Sequence, residues 1–201
     1  MSGELVATAL ALCVAAGVSP YATVAMLGLA HRAGWVDALP HSLAPIANTW
    51  VIALAVFITL VEFAATLVPG IASAWEAVHV AIRPPAAAVL AILMTWGGDP
   101  ALVAATALLG GSVAFGTTLT KLGARLAIDT SPEPVSNGAA NVAELAMVSA
   151  IAVFVWHHPV ISLVLALVLV ITTALLVRAV WGLIWRTVRA SRRPGVGGIR
   201  S

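Results

Sequence analysis

Charge is the scarcest resource in this 201-residue chain: Asp, Glu, Lys and Arg together make up 9% of it, against 61% hydrophobic residues. Soluble domains carry about 25% charged residues. A water-soluble fold of this size has too few charges here to cover its surface, and the mean hydropathy of +1.06 points the same way. Lipid is the solvent that accepts such an exterior. Cysteine is nearly absent as well. Cys13 is the only one, which excludes an intrachain disulfide and leaves a small packing residue in an apolar helix. The first residues, Met-Ser-Gly-Glu, lack the basic region of a secretory signal, so no cleavage is expected there. Cysteine clusters, HExxH and nucleophile-elbow motifs are also missing.

What is present reads as an all-α, polytopic membrane helix bundle of about six transmembrane helices. Apolar segments run over 5–30, 49–67, 71–96, 101–122, 135–156 and 160–184. At ~1.5 Å per residue each is long enough for a ~30 Å hydrocarbon core. Pro20 is expected to break the first span, and Pro84-Pro85 the third. The fourth carries Gly110, Gly111, Ser112 and Gly116, small residues that let helices approach closely in lipid. Residues 1–185 form one transmembrane domain, and 186–201 a basic tail.

The formal net charge is +2, but its distribution argues against a nucleic-acid partner. Five of the ten basic residues, Arg186, Arg189, Arg192, Arg193 and Arg200, lie in the last sixteen positions. Beside an apolar span such a cluster signals a cytoplasmic end and an attraction to anionic headgroups. Both termini then lie inside, in the cytoplasmic (inner) membrane of a cell. The loop with Lys121 and Arg125 also falls inside, and the outer loops carry only Arg32. The seven tryptophans agree: Trp35, Trp50, Trp96 and Trp156 fall in an outer belt, and Trp75, Trp181 and Trp185 in an inner one.

Ionisable groups within a membrane helix cost about 2.5–3.5 kcal/mol each on insertion scales, so those that remain call for a reason. Glu62, Glu76, His79, Lys121, Arg125, Asn137, Asn141 and Glu144 map to the cytoplasmic half of the layout, and Arg83 nearer its midplane. Their spacings put them on single helix faces: 76, 79 and 83 at i, i+3 and i+7; 137, 141 and 144 at i, i+4 and i+7; 121 and 125 at i and i+4. A shared polar interior facing the cytoplasm follows. The alternative is a static network, because three acids balance three bases and Lys121 and Arg125 can snorkel. A faint echo links Pro69, Glu76 and His79 to Pro134, Asn141 and Glu144 at equal offsets, as in a parallel repeat. His157-His158 reads as an exposed turn rather than a metal site.

The stretches Val61-Glu62-Phe63, Val68-Pro69-Gly70, Trp75-Glu76-Ala77-Val78-His79, Ile82-Arg83-Pro84 and Ser131-Pro132-Glu133-Pro134-Val135-Ser136-Asn137 resemble the bacterial membrane family called domain of unknown function 4126. The resemblance covers most of the chain and adds Glu133 to the candidate residues. It implies no activity. It also implies acids where this chain has Thr66, Ala72 and Leu145, which argues against a carboxylate-rich metal site common to the family.

Three functions compete. A small transporter or channel needs broken spans and a charged vestibule, and the residues leave open whether its ion or solute is a cation or an anion. A metal-dependent membrane enzyme would use the ExxH pair Glu76 and His79, but a dinuclear site of the ferritin type needs two such motifs and only one is present. A membrane scaffold would dock its glycine-lined faces on other helices. Transport is the preferred reading; no catalytic residue is assigned, and cofactor, metal and oligomeric state stay open, with a homo-oligomer among the options.

Overall fold

The computed structural model describes residues 3–36, 39–68, 70–129 and 134–191. Among these residues seven α-helices follow one another: α1 (Gly3–Val18), α2 (Pro20–Arg32), α3 (Thr49–Ala65), α4 (Ile71–Thr95), α5 (Pro100–Asp129), α6 (Pro134–Phe154) and α7 (Pro159–Ser191). A 3-10 segment, His41–Ala47, precedes α3. Glu133 and the arginines at 192, 193 and 200 lie outside the described residues.

The helix starts follow from local chemistry. Pro20, Pro100, Pro134 and Pro159 each open a helix, where a missing N–H costs nothing and the fixed φ is already helical. Ser19 Oγ accepts from the Ala22 amide, Asn48 Oδ1 from Trp50, and Asp99 Oδ1 from Ala101 and Leu102. Between α4 and α5 the chain reverses at Gly97, whose φ of +85° disfavours a side chain.

The short helix α1 forms the axis of the bundle. From Ala9 to Val18 it is buried throughout except for Leu10, with α4, α5, α6 and α7 packed around it. Its alanines let those neighbours come close, and Gly17 marks one tight point. A Cβ there would lie 2.8 Å from the Ala114 carbonyl oxygen and from Thr117 Cβ on α5. The outside is apolar instead of polar: Trp50, Leu108 and Val135 are each more than 70% exposed. Large exposed apolar surface of this kind calls for a lipid neighbour.

Among the described residues, three helices are long and apolar enough to cross a membrane: Ile71–Thr95, Pro100–Ile128 and Val135–Phe154. A fourth span results if His41–Ala47 and Thr49–Ala65, which meet at a 66° bend, are counted as one. The expected six is therefore not reached by length and apolarity alone, because α1 and the apolar part of α7 are shorter. The expected break at Pro84-Pro85 is corrected too. Helix α4 continues through both prolines to Thr95. Proline's φ is itself helical, so its cost lies in carbonyls deprived of a donor, a cost that packed membrane helices tolerate. Helix α4 lies along α5 there, with Gly111 facing the Pro84 carbonyl. At Ser19, by contrast, the backbone is extended (φ −155°, ψ 109°), and α1 and α2 are separated by that one residue.

Candidate functional site: a buried charge cluster at a helix interruption

The half of the bundle where α3 and α5 finish and α4 and α6 begin gathers eight of the ten candidate residues, Arg83 and Glu144 lying midway along their helices. Arg83, fully buried, bonds Glu76 on its own helix and Glu62 of α3 at 2.7 Å. Lys121 of α5 reaches three carboxylates: Glu76 at 3.0 Å, Glu144 at 3.1 Å and Glu62 at 3.3 Å. Arg125, one turn later, pairs with Glu144 at 2.9 Å and bonds the side chains of Asn137 and Asn141. Three acids and three bases from four helices thus form one connected set, closed to solvent except at Glu144, whose side chain is 24% exposed.

The interruption at Ser19 is built into this set. Ending α1 leaves carbonyls without intrahelical donors. Thr118 donates to the Gly17 carbonyl at 3.0 Å, and Lys121 Nζ to that of Val18 at 2.8 Å. On the other side of the gap, the Ser19 hydroxyl caps α2 and donates to Glu62 at 2.5 Å. The negative end of α1 therefore faces an ammonium, and the positive end of α2 a carboxylate, which is the arrangement helix dipoles favour.

Polar neighbours complete the shell. Asn141 donates to the Phe63 carbonyl at 3.0 Å, and the Thr66 hydroxyl lies 2.9 Å from Asn141 Oδ1. Both guanidiniums keep one buried Nε–H without an acceptor, at Arg83 and Arg125. A small pocket of about 30 Å³, room for a single water, is lined by Ser19, Thr59, Glu62, Lys121, Asn141 and Glu144 among others. A larger one of about 320 Å³, between α5, α6 and α7, shares Lys121 and Glu144 with it and is otherwise lined mainly by apolar groups and Arg125.

His79 is buried but stands apart from the ion pairs. Its ring stacks on Trp75 at 4.6 Å, and Nδ1 lies 2.8 Å from the Trp75 carbonyl. A carbonyl only accepts, so Nδ1 donates there, and in the neutral ring Nε2 accepts from the Tyr21 hydroxyl at 3.3 Å. Glu76 is meanwhile committed to Arg83 and Lys121, so the ExxH pair does not converge on a common point. Among the described residues, no three His, Cys, Asp or Glu side chains are arranged to hold a metal ion.

The family model described as Domain of unknown function (DUF4126) matches residues 6–179. The chain belongs to this family. No curated protein and no solved structure gives a significant match.

The DUF4126 chain also uses groups that residue types do not advertise. Ser19, Thr66 and the Val18 carbonyl are as much part of the cluster as the charges. The Ser19-Pro20 pair signals a helix start, but nothing in it foretells that the exposed carbonyl meets Lys121. Tyr21 carried no signal at all.

Proposed function

We propose that this membrane protein moves a small ion or solute, with the buried cluster around Glu62, Glu76, Lys121 and Glu144 as its binding site. The observation that carries the reading is the interruption at Ser19. Backbone polar groups are left unpaired by a helix within a membrane only where something else is there to meet them, and in transporters that place is the solute or ion site. Here both half-helix ends face the charge cluster and the adjoining cavities. In this reading α1 and α2 together form one interrupted span and α7 another. Six spans result, with both termini and the basic tail of 186–201 on the cytoplasmic side of the inner membrane.

A second reading has its own observation in support: the cluster pairs three acids with three bases, as a static network holding helices in register would. Flux separates the two. Purified protein reconstituted into liposomes is assayed against a panel of cations, anions and small neutral solutes, beside Glu62→Gln. Transport predicts saturable uptake above empty liposomes for one solute class, lost in the variant although it remains folded. Uptake no greater than in empty liposomes across the panel refutes transport and leaves the network as scaffold.

A further inference from the structure

The geometry points to Lys121 as a tethered occupant of a site for a small monovalent cation. This deepens the transport reading, on which it rests for the site's purpose, and it names the sign of the solute or coupling ion.

Lys121 is the only lysine in the chain; the other nine basic residues are arginine. The two differ in the way that matters at this point. Guanidinium is planar and forked, whereas an ammonium is a compact point charge on a flexible four-carbon stem. Lys121 Nζ is ringed by four oxygens: the Val18 carbonyl at 2.8 Å, Glu76 Oε1 at 3.0 Å, Glu144 Oε2 at 3.1 Å and Glu62 Oε1 at 3.3 Å. An ammonium has three N–H donors, so this ring offers one acceptor more than it can use. Oxygens gathered from a helix C-terminus and three separate helices surround a charge, as ligands surround a hard cation.

Charge balance agrees. Arg83 is fixed in place by buried bonds to Glu62 and Glu76, and the buried Arg125 by bonds to Glu144, Asn137 and Asn141. With Lys121 withdrawn, three carboxylates face two guanidiniums, and the deficit is one positive charge. Room for withdrawal exists as well. Lys121 lines both the water-sized cavity and the cavity of about 320 Å³ beside it. Its stem can swing into the larger space while a cation takes the place of the ammonium, keeping one water in the smaller. Ion and lysine are then alternative occupants of one cage. A site that is never left empty avoids an unpaired buried carboxylate at every stage of a cycle.

The test uses full-length protein in detergent, at constant ionic strength with choline as the background cation. In Lys121→Met the cage lacks its guest. Its unfolding midpoint is expected to rise saturably with sodium, potassium or methylammonium chloride, and the double variant Lys121→Met/Glu62→Gln, neutral without a guest, to stay flat. An inorganic ion and methylammonium as responders distinguish a metal-ion site from one for organic ammonium. The single lysine permits a second readout in the wild type. Acetylation of Lys121 by an N-hydroxysuccinimide ester, read by peptide mass, is expected to accelerate at least tenfold in the responding cation, because the displaced amine enters the larger cavity. Equal response in single and double variants overturns the proposal. So does acetylation at the choline rate in all three salts, which decides the matter if Lys121→Met does not fold. Flux of some solute without any cation effect removes this proposal and keeps transport; a cation effect without flux keeps the site and removes transport.

Discussion

Removing the Arg83 guanidinium tests whether the cluster behaves as one electrostatic unit. Arg83 is fully buried, with both Glu76 oxygens and Glu62 Oε1 as acceptors. In Arg83→Met the stem is roughly replaced, so packing changes little, but three carboxylates are left with Lys121 and Arg125. Taking one partner from a buried pair costs about 3–5 kcal/mol, because the remaining charge has no water to turn to. Solvent screening does not reduce that figure at a site with no exposure. The exposed Arg32, which bonds Thr49, is the control, and Arg32→Met should stay within about 0.5 kcal/mol of wild type. Adding Glu76→Gln to Arg83→Met restores two acids against two bases. The double variant should therefore be more stable than Arg83→Met alone, with a coupling of at least about 2 kcal/mol, within the range for residues sharing a network. Equilibrium unfolding in mixed detergent micelles, followed by the fluorescence of the seven tryptophans, reads all four proteins. A loss below about 1 kcal/mol in Arg83→Met, or a double variant no better than the single, refutes the idea that unbalanced charge is what destabilises.

Three further outcomes follow from other parts of the structure. Gly17→Ala should destabilise by about 1–3 kcal/mol through overpacking against the α5 backbone, while Gly116→Ala, with open space around it, should be neutral or slightly stabilising in the same unfolding assay. Ser19→Ala removes both the cap of α2 and a hydrogen bond to a carboxylate, and a loss of about 2–3 kcal/mol is expected from the charged bond and the cap together. In a Cys13→Ser background, single cysteines at Gly98 and His157 should react with a membrane-impermeant maleimide from one side, and one at Val68 from the other, if α4, α5 and α6, each long and apolar enough to span, cross in succession; labelling of all three from one side contradicts those crossings.

The sequence reveals the solvent more readily than the packing. Scarcity of charge is a property of the whole surface, so composition suffices to read lipid. The polar stripes were legible for the same reason: in an apolar helix an acid or base stands out, and 3.6-residue periodicity puts Glu76 and Arg83, or Asn137, Asn141 and Glu144, on one side. Alternating helix directions then bring those stripes to one end of the bundle, where they meet. Contrast is lacking among the apolar residues themselves. Leu54 faces outward and Leu12 inward with identical chemistry, and hydropathy does not distinguish α1 as the central helix. Its small residues are the better cue, since close packing replaces the hydrophobic effect between membrane helices. Backbone groups are silent for a different reason. The Val18 carbonyl has no letter of its own, and its meeting with Lys121, more than a hundred residues away in sequence, depends on how α1 and α5 cross. Pro84-Pro85 misled because proline's effect on a helix depends on its neighbours, and the neighbour there is a glycine face of α5.

Stability alone does not account for keeping six charges in that interior. Replacing a buried ion-pair set by apolar side chains of similar volume is often neutral or stabilising, since each charge brought out of water costs more than its partner returns. In a membrane the apolar alternative is easier still, because a Leu or Met placed there has no insertion penalty to overcome. Register can be fixed with less: a single buried polar contact specifies alignment in helical assemblies, and the Asn141 bonds to Phe63 and Thr66 already tie α6 to the end of α3. The charges are also unequal in how firmly they are held. Arg83 and Glu76 are sealed, whereas Glu144 is partly open and Lys121 borders two cavities. A network that served only to lock helices would gain nothing from its loosest members lying beside empty space. The guest exchange proposed above would use those members: the guanidiniums hold the acids in place, Lys121 is the cation that moves, and Glu144 is the carboxylate that is partly open.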